Sequence, residues 1–268
     1  GGWARTAPMA EPADHWLARD LAREAGAHLV ALRARLAAEG VTPRELRDAG
    51  DRAADDVLLD RIHRERPHDA VLSEEGSGDD GRYGTDRLGA DRVWIIDPLD
   101  GTREYGEVPR TDWAVHVALV EGGAPTAAAV ALPGLDRVLS TAEPPPLPAP
   151  PPARPRIVVS RSRPPEVARY LAGRLGAELV PLGSAGAKAA AVITGEADLY
   201  VHSGGQYEWD SCAPVGVALA AGLHASRLDL SPLAYNRPDP YLPDLLVAHP
   251  ALVDGLRAAL ASWVDPGW

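Results

Sequence analysis

Cysteine is all but absent: Cys212 stands alone in 268 residues. One thiol excludes an internal disulfide and a cysteine-built zinc site, and it suits a reducing compartment. Long apolar runs are missing too. No stretch approaches the ~18 residues of a membrane-spanning helix, and no secretory leader stands out. The expectation is a cytoplasmic protein without a membrane partner. Positive charge is in deficit. The 38 acids outnumber the 27 lysines and arginines, for a net charge of −11. That argues against a nucleic-acid partner, because phosphate backbones are bound by basic faces. An acidic chain can still take a phosphorylated small molecule where metal ions supply positive charge locally. Lysine occurs once, at Lys188, and methionine once, at Met9. Met9 reads as the native start, with residues 1–8 an added leader.

What remains is an ordinary globular balance, 46% hydrophobic and 24% charged. The chain is long enough for one large domain or two modest ones sharing an interface. Residues 14–39 carry Leu17, Leu21, Leu29, Leu32 and Leu36 at helical spacing, and Gly40 closes that helix. A second helix is expected over 51–66, with Asp51 at its start. Residues 70–73 read as a short strand, 76–84 as an exposed glycine- and aspartate-rich loop, and 93–96 as a buried strand. Strands over 113–120, 127–132 and 138–141 make an antiparallel meander. Residues 9–142 therefore form an N-terminal α+β half. Residues 143–155 are proline-rich, a stiff extended crossover rather than a ligand for a partner domain. Over 156–268 strands at 157–159, 177–180 and 199–201 alternate with helices at 164–175, 186–194 and 210–221. A last helix over 251–263 closes this C-terminal α/β half.

The chemistry gathers at Val93-Trp94-Ile95-Ile96-Asp97-Pro98-Leu99-Asp100-Gly101-Thr102. An apolar run meets Pro98 and Gly101, which end a strand and turn the chain. Two carboxylates at such a mouth repel each other unless a cation lies between them. All-oxygen ligation suits a hard ion such as Mg²⁺, and the Leu99 carbonyl can join it. Thr102 offers a hydroxyl and an amide to a phosphate or a water. Helix capping by Asp97 or Asp100 is the competing reading of these residues alone.

This run resembles the signature of the inositol monophosphatase superfamily of Mg²⁺-dependent, Li⁺-sensitive phosphatases: an apolar strand, then Asp-Pro-hydrophobic-Asp-Gly-Thr. Ser73-Glu74-Glu75 upstream and Trp209-Asp210 downstream complete the pattern in order. Gly101-Thr102-Arg103-Glu104-Tyr105 and Tyr207-Glu208-Trp209-Asp210 look most like the CysQ branch, the 3'(2'),5'-bisphosphate nucleotidases of sulfur metabolism. The resemblance implies a layered α-β-α-β-α sandwich of the inositol monophosphatase and fructose bisphosphatase type. It implies hydrolysis of the 3'-phosphate of adenosine 3',5'-bisphosphate, or of its sulfated form, by metal-activated water. Inositol or fructose phosphates are the alternative substrates on the same metal site, and a non-catalytic phosphate sensor is the third reading.

The resemblance also implies two or three Mg²⁺ ions held by Glu74, Asp97, the Leu99 carbonyl, Asp100 and Asp210. Asp51 and Thr102, with Glu74, would activate the water, and the working assembly would be a homodimer. On an extended chain Glu74 and Glu75 point to opposite faces, and the resemblance selects Glu74. Capping is the competing reading of Asp51 and Asp210.

Substrate contacts are expected in both halves. The Gly101 and Thr102 amides suit a phosphate. Ser160 and Arg161 follow a strand end, where α/β sheets bind ligands. Ser184 and Lys188 lie in Gly183-Ser184-Ala185-Gly186-Ala187-Lys188, a glycine-rich turn into a helix. An ordinary cap for Ser184 and a solvated Lys188 are the plainer readings. Glu208, with Tyr207, is expected to shape a nucleoside pocket, and Cys212 is read as core.

Overall fold

Two proline-led helices open the chain in a computed structural model that describes residues 10–77 and 85–264. Met9 and most of the loop expected over 76–84 lie outside the described residues. Helix α1 (Pro12–Ala38) precedes α2 (Pro43–Glu65). Thr42 accepts a hydrogen bond from the Glu45 amide, and the Glu45 carboxylate accepts one from the Thr42 amide. This capping box, with Pro43 in the first turn, outweighs the start expected at Asp51. Asp51 therefore lies inside α2 and caps nothing.

Strand β1 (Ala70–Ser73) runs straight into a 3₁₀ turn, Glu74–Ser77. The two glutamates thus sit on a tight turn rather than on extended chain. Strand β2 (Arg92–Asp100) does not stop at Pro98, as the sequence suggested. Opposite it in β3 (Ala114–Glu121), His116 pairs with Asp97 and Ala114 with Asp100. Pro98 and Leu99 on β2 therefore stand against Val115 alone on β3. This bulge flips the alternation of the strand, so Asp97 and Asp100 share one face although their spacing is odd. Leu99 turns into the opposite layer.

Helix α3 (Thr102–Gly106) follows β2, and β4 (Ala124–Leu132) and β5 (Arg137–Ser140) follow β3. The first sheet has the order β1-β2-β3-β4-β5, parallel only between β1 and β2. The crossover over 143–155 is extended and largely exposed. The Pro148 carbonyl anchors it by accepting a hydrogen bond from His249 Nε2 at 3.1 Å.

Beyond it lie β6 (Arg156–Ser160), α4 (Glu166–Leu175), β7 (Glu178–Leu182), α5 (Ala185–Ile193) and β8 (Leu199–Tyr207). Then come α6 (Glu208–Ala220), β9 (His224–Ser226), β10 (Tyr241–Ala248) and α7 (Val253–Leu260). The second sheet is ordered β7-β6-β8-β10-β9, with β10 antiparallel to both neighbours. Strands β9 and β10 did not stand out in the sequence. Pro243 and a bulge between Leu242 and Asp244 interrupt the β10 pattern.

Side-chain alternation sorts these elements into five layers. Trp94, Ile96, Val117 and Leu119 pack on Leu21, Leu29 and Leu58 of α1 and α2. Val93, Ile95 and Ala118, on the other face of the same sheet, meet Val192, Val215 and Val217 of α5 and α6. Tyr200 and Leu245 of the second sheet close that layer. Ile157, Val159 and Leu199 pack on Leu171 and Leu256 of α4 and α7. The fold is an α-β-α-β-α sandwich. Because helices cover both faces of each sheet, the inner strands are mostly apolar, with polar side chains gathered where they meet the site. Burying each such Val, Leu or Ile contributes roughly 1.5–3 kcal/mol. No helix among the described residues is long and apolar enough to cross a membrane.

Candidate active site

Carboxylate oxygens of Asp97, Asp100 and Asp210 lie within 4.8 Å of one another. The β2 bulge delivers the first two. The first turn of α6 delivers the third, and its carboxylate also accepts a hydrogen bond from the Tyr207 amide at 2.8 Å. Asp210 is thus both a cap and a member of the cluster. The Glu74 carboxyl reaches Asp97 from the 3₁₀ turn after β1.

The charges are crowded. Burial pushes Asp97 well above the usual carboxylate range, and the neighbouring Glu74, Asp100 and Asp210 push it further. Burial raises Glu74 to about 8 and Asp210 to about 6. Asp100 goes the other way. Burial raises it, but His116, the Ser184 hydroxyl and the Gly186 amide outweigh that and bring it to about 2. An acid cluster that holds protons when left to itself would ionise around a cation. Every donor is a hard oxygen, so the residues fit a divalent ion of the Mg²⁺ or Ca²⁺ type. The Leu99 carbonyl, expected to join them, accepts from Thr102 Oγ1 at 3.0 Å.

That hydroxyl also lies 3.2 Å from Asp51 Oδ1. Burial, and next the charge of Glu75, raise Asp51 to about 7, against the Thr102 hydrogen bond. Asp51, Thr102 and the Leu99 carbonyl therefore form one chain of contacts, and the Leu99 amide in turn donates to Asp97 Oδ1 at 3.2 Å. Gly101 makes its turn with φ of +78°, where a Cβ would stand 2.9 Å from Ser184.

A cleft of about 430 Å³ opens over Asp100 and Asp210 between the two sheets. Gly101, Ser160, Arg161, Ser184 and Lys188 all line it. Arg161 donates to Glu104 and Glu107, each at 2.8 Å, which fixes its guanidinium on α3. Ser184 caps α5 by accepting from the Ala187 amide at 3.1 Å, and it donates to Asp100. Lys188 is not solvated: it is 4% exposed, with its Nζ 5.5 Å over the Tyr200 ring. Burial pushes its pKa down, against the pull of Asp100 and Glu104.

Glu208 is corrected. It is buried and accepts from the Asn236 and Arg237 amides, so it ties down a loop and does not line the cleft. Tyr207 does line it, stacked on Trp209 at 4.9 Å and meeting Tyr241 edge-on at 6.0 Å. Cys212 is buried core.

Sequence reasoning passed over His116, His202, Gln206 and Tyr241. His116 is fully buried on β3 between the acid cluster and α6. Its one signal was a lone polar residue within the otherwise apolar core of a strand. Gly186 makes room for it: a Cβ there would stand 2.2 Å from His116 Nε2.

The sequence profile of the inositol monophosphatase family matches residues 16–261. A 3'-phosphoadenosine 5'-phosphate phosphatase of Mycobacterium leprae is 50% identical over 251 residues, covering 89% of this chain and 90% of that protein. The 3'(2'),5'-bisphosphate nucleotidase CysQ of Escherichia coli K12 is 32% identical over 206 residues, 72% of this chain and 81% of its own length. Among solved structures, CysQ of Bacteroides thetaiotaomicron superposes with a TM-score of 0.73 at 26% identity, covering 89% of this chain and 97% of its own.

Proposed function

This chain belongs to the inositol monophosphatase family, and on that premise we propose that it is a metal-dependent phosphomonoesterase acting on adenosine 3',5'-bisphosphate. The relatives named for that activity support the substrate. The observation that carries the reading is the pairing of an acid cluster with a cleft of opposite character. Asp97, Asp100 and Asp210 converge, the last two on the wall of the cleft, which Arg103, Arg161, Arg163 and Lys188 also line. A bisphosphate needs both: one phosphoryl group over the acids and a second anion held by cations. Tyr207 and Tyr241 add flat apolar surface for a base.

Glu74, Asp97, Asp100, Asp210 and the Leu99 carbonyl would hold Mg²⁺, in two or three ions. Bound there, Mg²⁺ would neutralise phosphate charge and make water a stronger acid. The rest falls to the chain. Thr102, fixed by Leu99 and Asp51, positions the attacking water through its hydroxyl oxygen. Asp51, with its pKa at about 7, is matched to take that proton near neutral pH. Glu74 orients the same water from the opposite element. The Gly101 and Thr102 amides steady the phosphoryl oxygens at the start of α3. The lining cations hold the remaining phosphate so that attack is in line. A homodimer and a cytoplasmic location complete the reading, on the strength of the family resemblance.

The test is phosphate release with Mg²⁺ from adenosine 3',5'-bisphosphate, inositol 1-phosphate and fructose 1,6-bisphosphate. Preference for the nucleotide, suppressed by Li⁺, is expected. Preference for either of the others would retain the acid cluster's role and overturn the substrate.

A further inference from the structure

Two buried polar atoms beside the cleft have no hydrogen-bond partner among the described residues: Nδ1 of His202 and Oε1 of Gln206. Both side chains line the cleft, and they are only 6% and 9% exposed. Both belong to β8, the strand that leads into the helix carrying Asp210.

Their chemistry is set by what holds them. His202 Nε2 is 3.0 Å from the Gly205 carbonyl. A carbonyl only accepts, so Nε2 carries the ring proton. Burial favours the neutral ring, and Nδ1 then presents a lone pair. Gln206 Nε2 donates to Tyr200 Oη at 2.8 Å. That leaves Oε1 as an acceptor as well. Two buried acceptors without donors are costly, and acceptors repel phosphate oxygens. This wall is therefore built for an uncharged part of a ligand that brings O–H or N–H groups. The anionic parts belong with the arginines and Lys188.

We propose that His202 Nδ1 and Gln206 Oε1 form an acceptor pair that selects the nucleoside by its hydrogen-bond donors, a sugar hydroxyl or the amino group of the base. The inference rests on the nucleotide reading above. A site that pairs buried acceptors with substrate donors rejects analogues lacking the donor, because the acceptors are then stranded.

The experiment compares adenosine 3',5'-bisphosphate with its 2'-deoxy analogue and with inosine 3',5'-bisphosphate, which carries an oxo group in place of the amine. KM and kcat are measured for the wild type and for Gln206→Met and His202→Phe, each first checked by thermal melting. His202→Asn, which retains an acceptor, serves as the second variant at that position. Binding of adenosine 5'-monophosphate and its two analogues is measured by calorimetry.

The wild type should disfavour at least one analogue by about tenfold or more in KM and in binding. That preference should shrink to about twofold in Gln206→Met or His202→Phe and return in part in His202→Asn. Rejection of the deoxy compound places the donor on the sugar, and rejection of the inosine compound places it on the base. Equal treatment of all three by the wild type, or an undiminished preference in both variants, overturns the acceptor pair alone. Absence of turnover on all three nucleotides overturns the nucleotide reading, and the acceptor pair with it.

Discussion

His116 Nε2 stands 3.1 Å from Asp100 Oδ2, while the other ring nitrogen meets the Trp209 carbonyl at 2.9 Å. One imidazole thus ties an acid on the first sheet to the residue beside Asp210 on α6. Burial alone would lower the pKa of this histidine, but Asp100 and the Trp209 carbonyl raise it. The acid cluster is therefore not uniform. Asp100 is held ionised by a fixed partner, and Asp97 and Glu74 are not.

Replacing His116 with leucine should strand a buried carboxylate. Removing one partner of a buried pair costs about 3–5 kcal/mol, to be read as a fall in denaturant midpoint. The Mg²⁺ concentration for half-maximal activity should rise, since Asp100 loses its orientation. Gly186→Ala should act in the same direction, because its Cβ would displace the ring. Unchanged metal dependence in His116→Leu would show that Asp100 needs no such support.

Asp97→Asn should lower phosphate release at saturating substrate by about 10²-fold or more. The same change should raise the melting temperature of the metal-free protein near pH 8. Asp97 is raised by burial and by its acidic neighbours, so an uncharged isostere relieves a repulsion. A metal-free variant less stable than the wild type would contradict the crowding of charge at this site.

Stability of the metal-free protein should fall as pH rises from about 5 to 8. Glu74, Asp51 and Asp210 have folded pKa values raised to about 8, 7 and 6, from ordinary values of 4.5, 3.8 and 3.8. In that window these three groups bind more protons in the native state than in the unfolded chain, so their contribution to the slope of unfolding free energy against pH is negative. It outweighs the opposite contribution of His202 and His224, whose pKa values burial lowers. Asp100, already lowered to about 2, is ionised in both states there and adds no slope. Saturating Mg²⁺ should flatten the decline, and at 100 times its dissociation constant it should add about 2.7 kcal/mol. Thermal melts in chelator and in Mg²⁺ across this range test both. A rising melting temperature without metal would refute the assignment.

Asp51→Asn should reduce kcat by about 10²–10⁴ while leaving KM and metal affinity near their starting values. The wild-type kcat should climb through pH 7 as Asp51 ionises, and the variant should lose that limb. Thr102→Ser should retain most activity and Thr102→Ala little, because the hydroxyl links the Leu99 carbonyl to Asp51. A variant that keeps its pH limb would move the proton acceptor elsewhere, to Glu74 first.

The acidic motif, the proline-rich run and most helices were legible in the sequence because each is a local matter. Asp97, Pro98 and Gly101 carry their turn within a few residues, prolines stiffen 143–155 wherever they lie, and leucine spacing marks α1 without reference to its partner. Even there the meaning of Pro98 depended on the sheet. Only pairing with β3 shows a bulge instead of a stop, and only the bulge brings Asp97 and Asp100 to one face. Side-chain partners were decided by the tertiary structure. Glu208 was expected at a nucleoside pocket, yet loop 236–237 claimed it. His116 carried no local signal beyond its polarity in a strand, yet packing of α6 and α5 against the first sheet set it beside Asp100. Local pattern determines backbone and which residue types are at hand. Which polar groups meet inside is settled by the docking of two sheets on one shared core, a contact that no stretch of sequence contains.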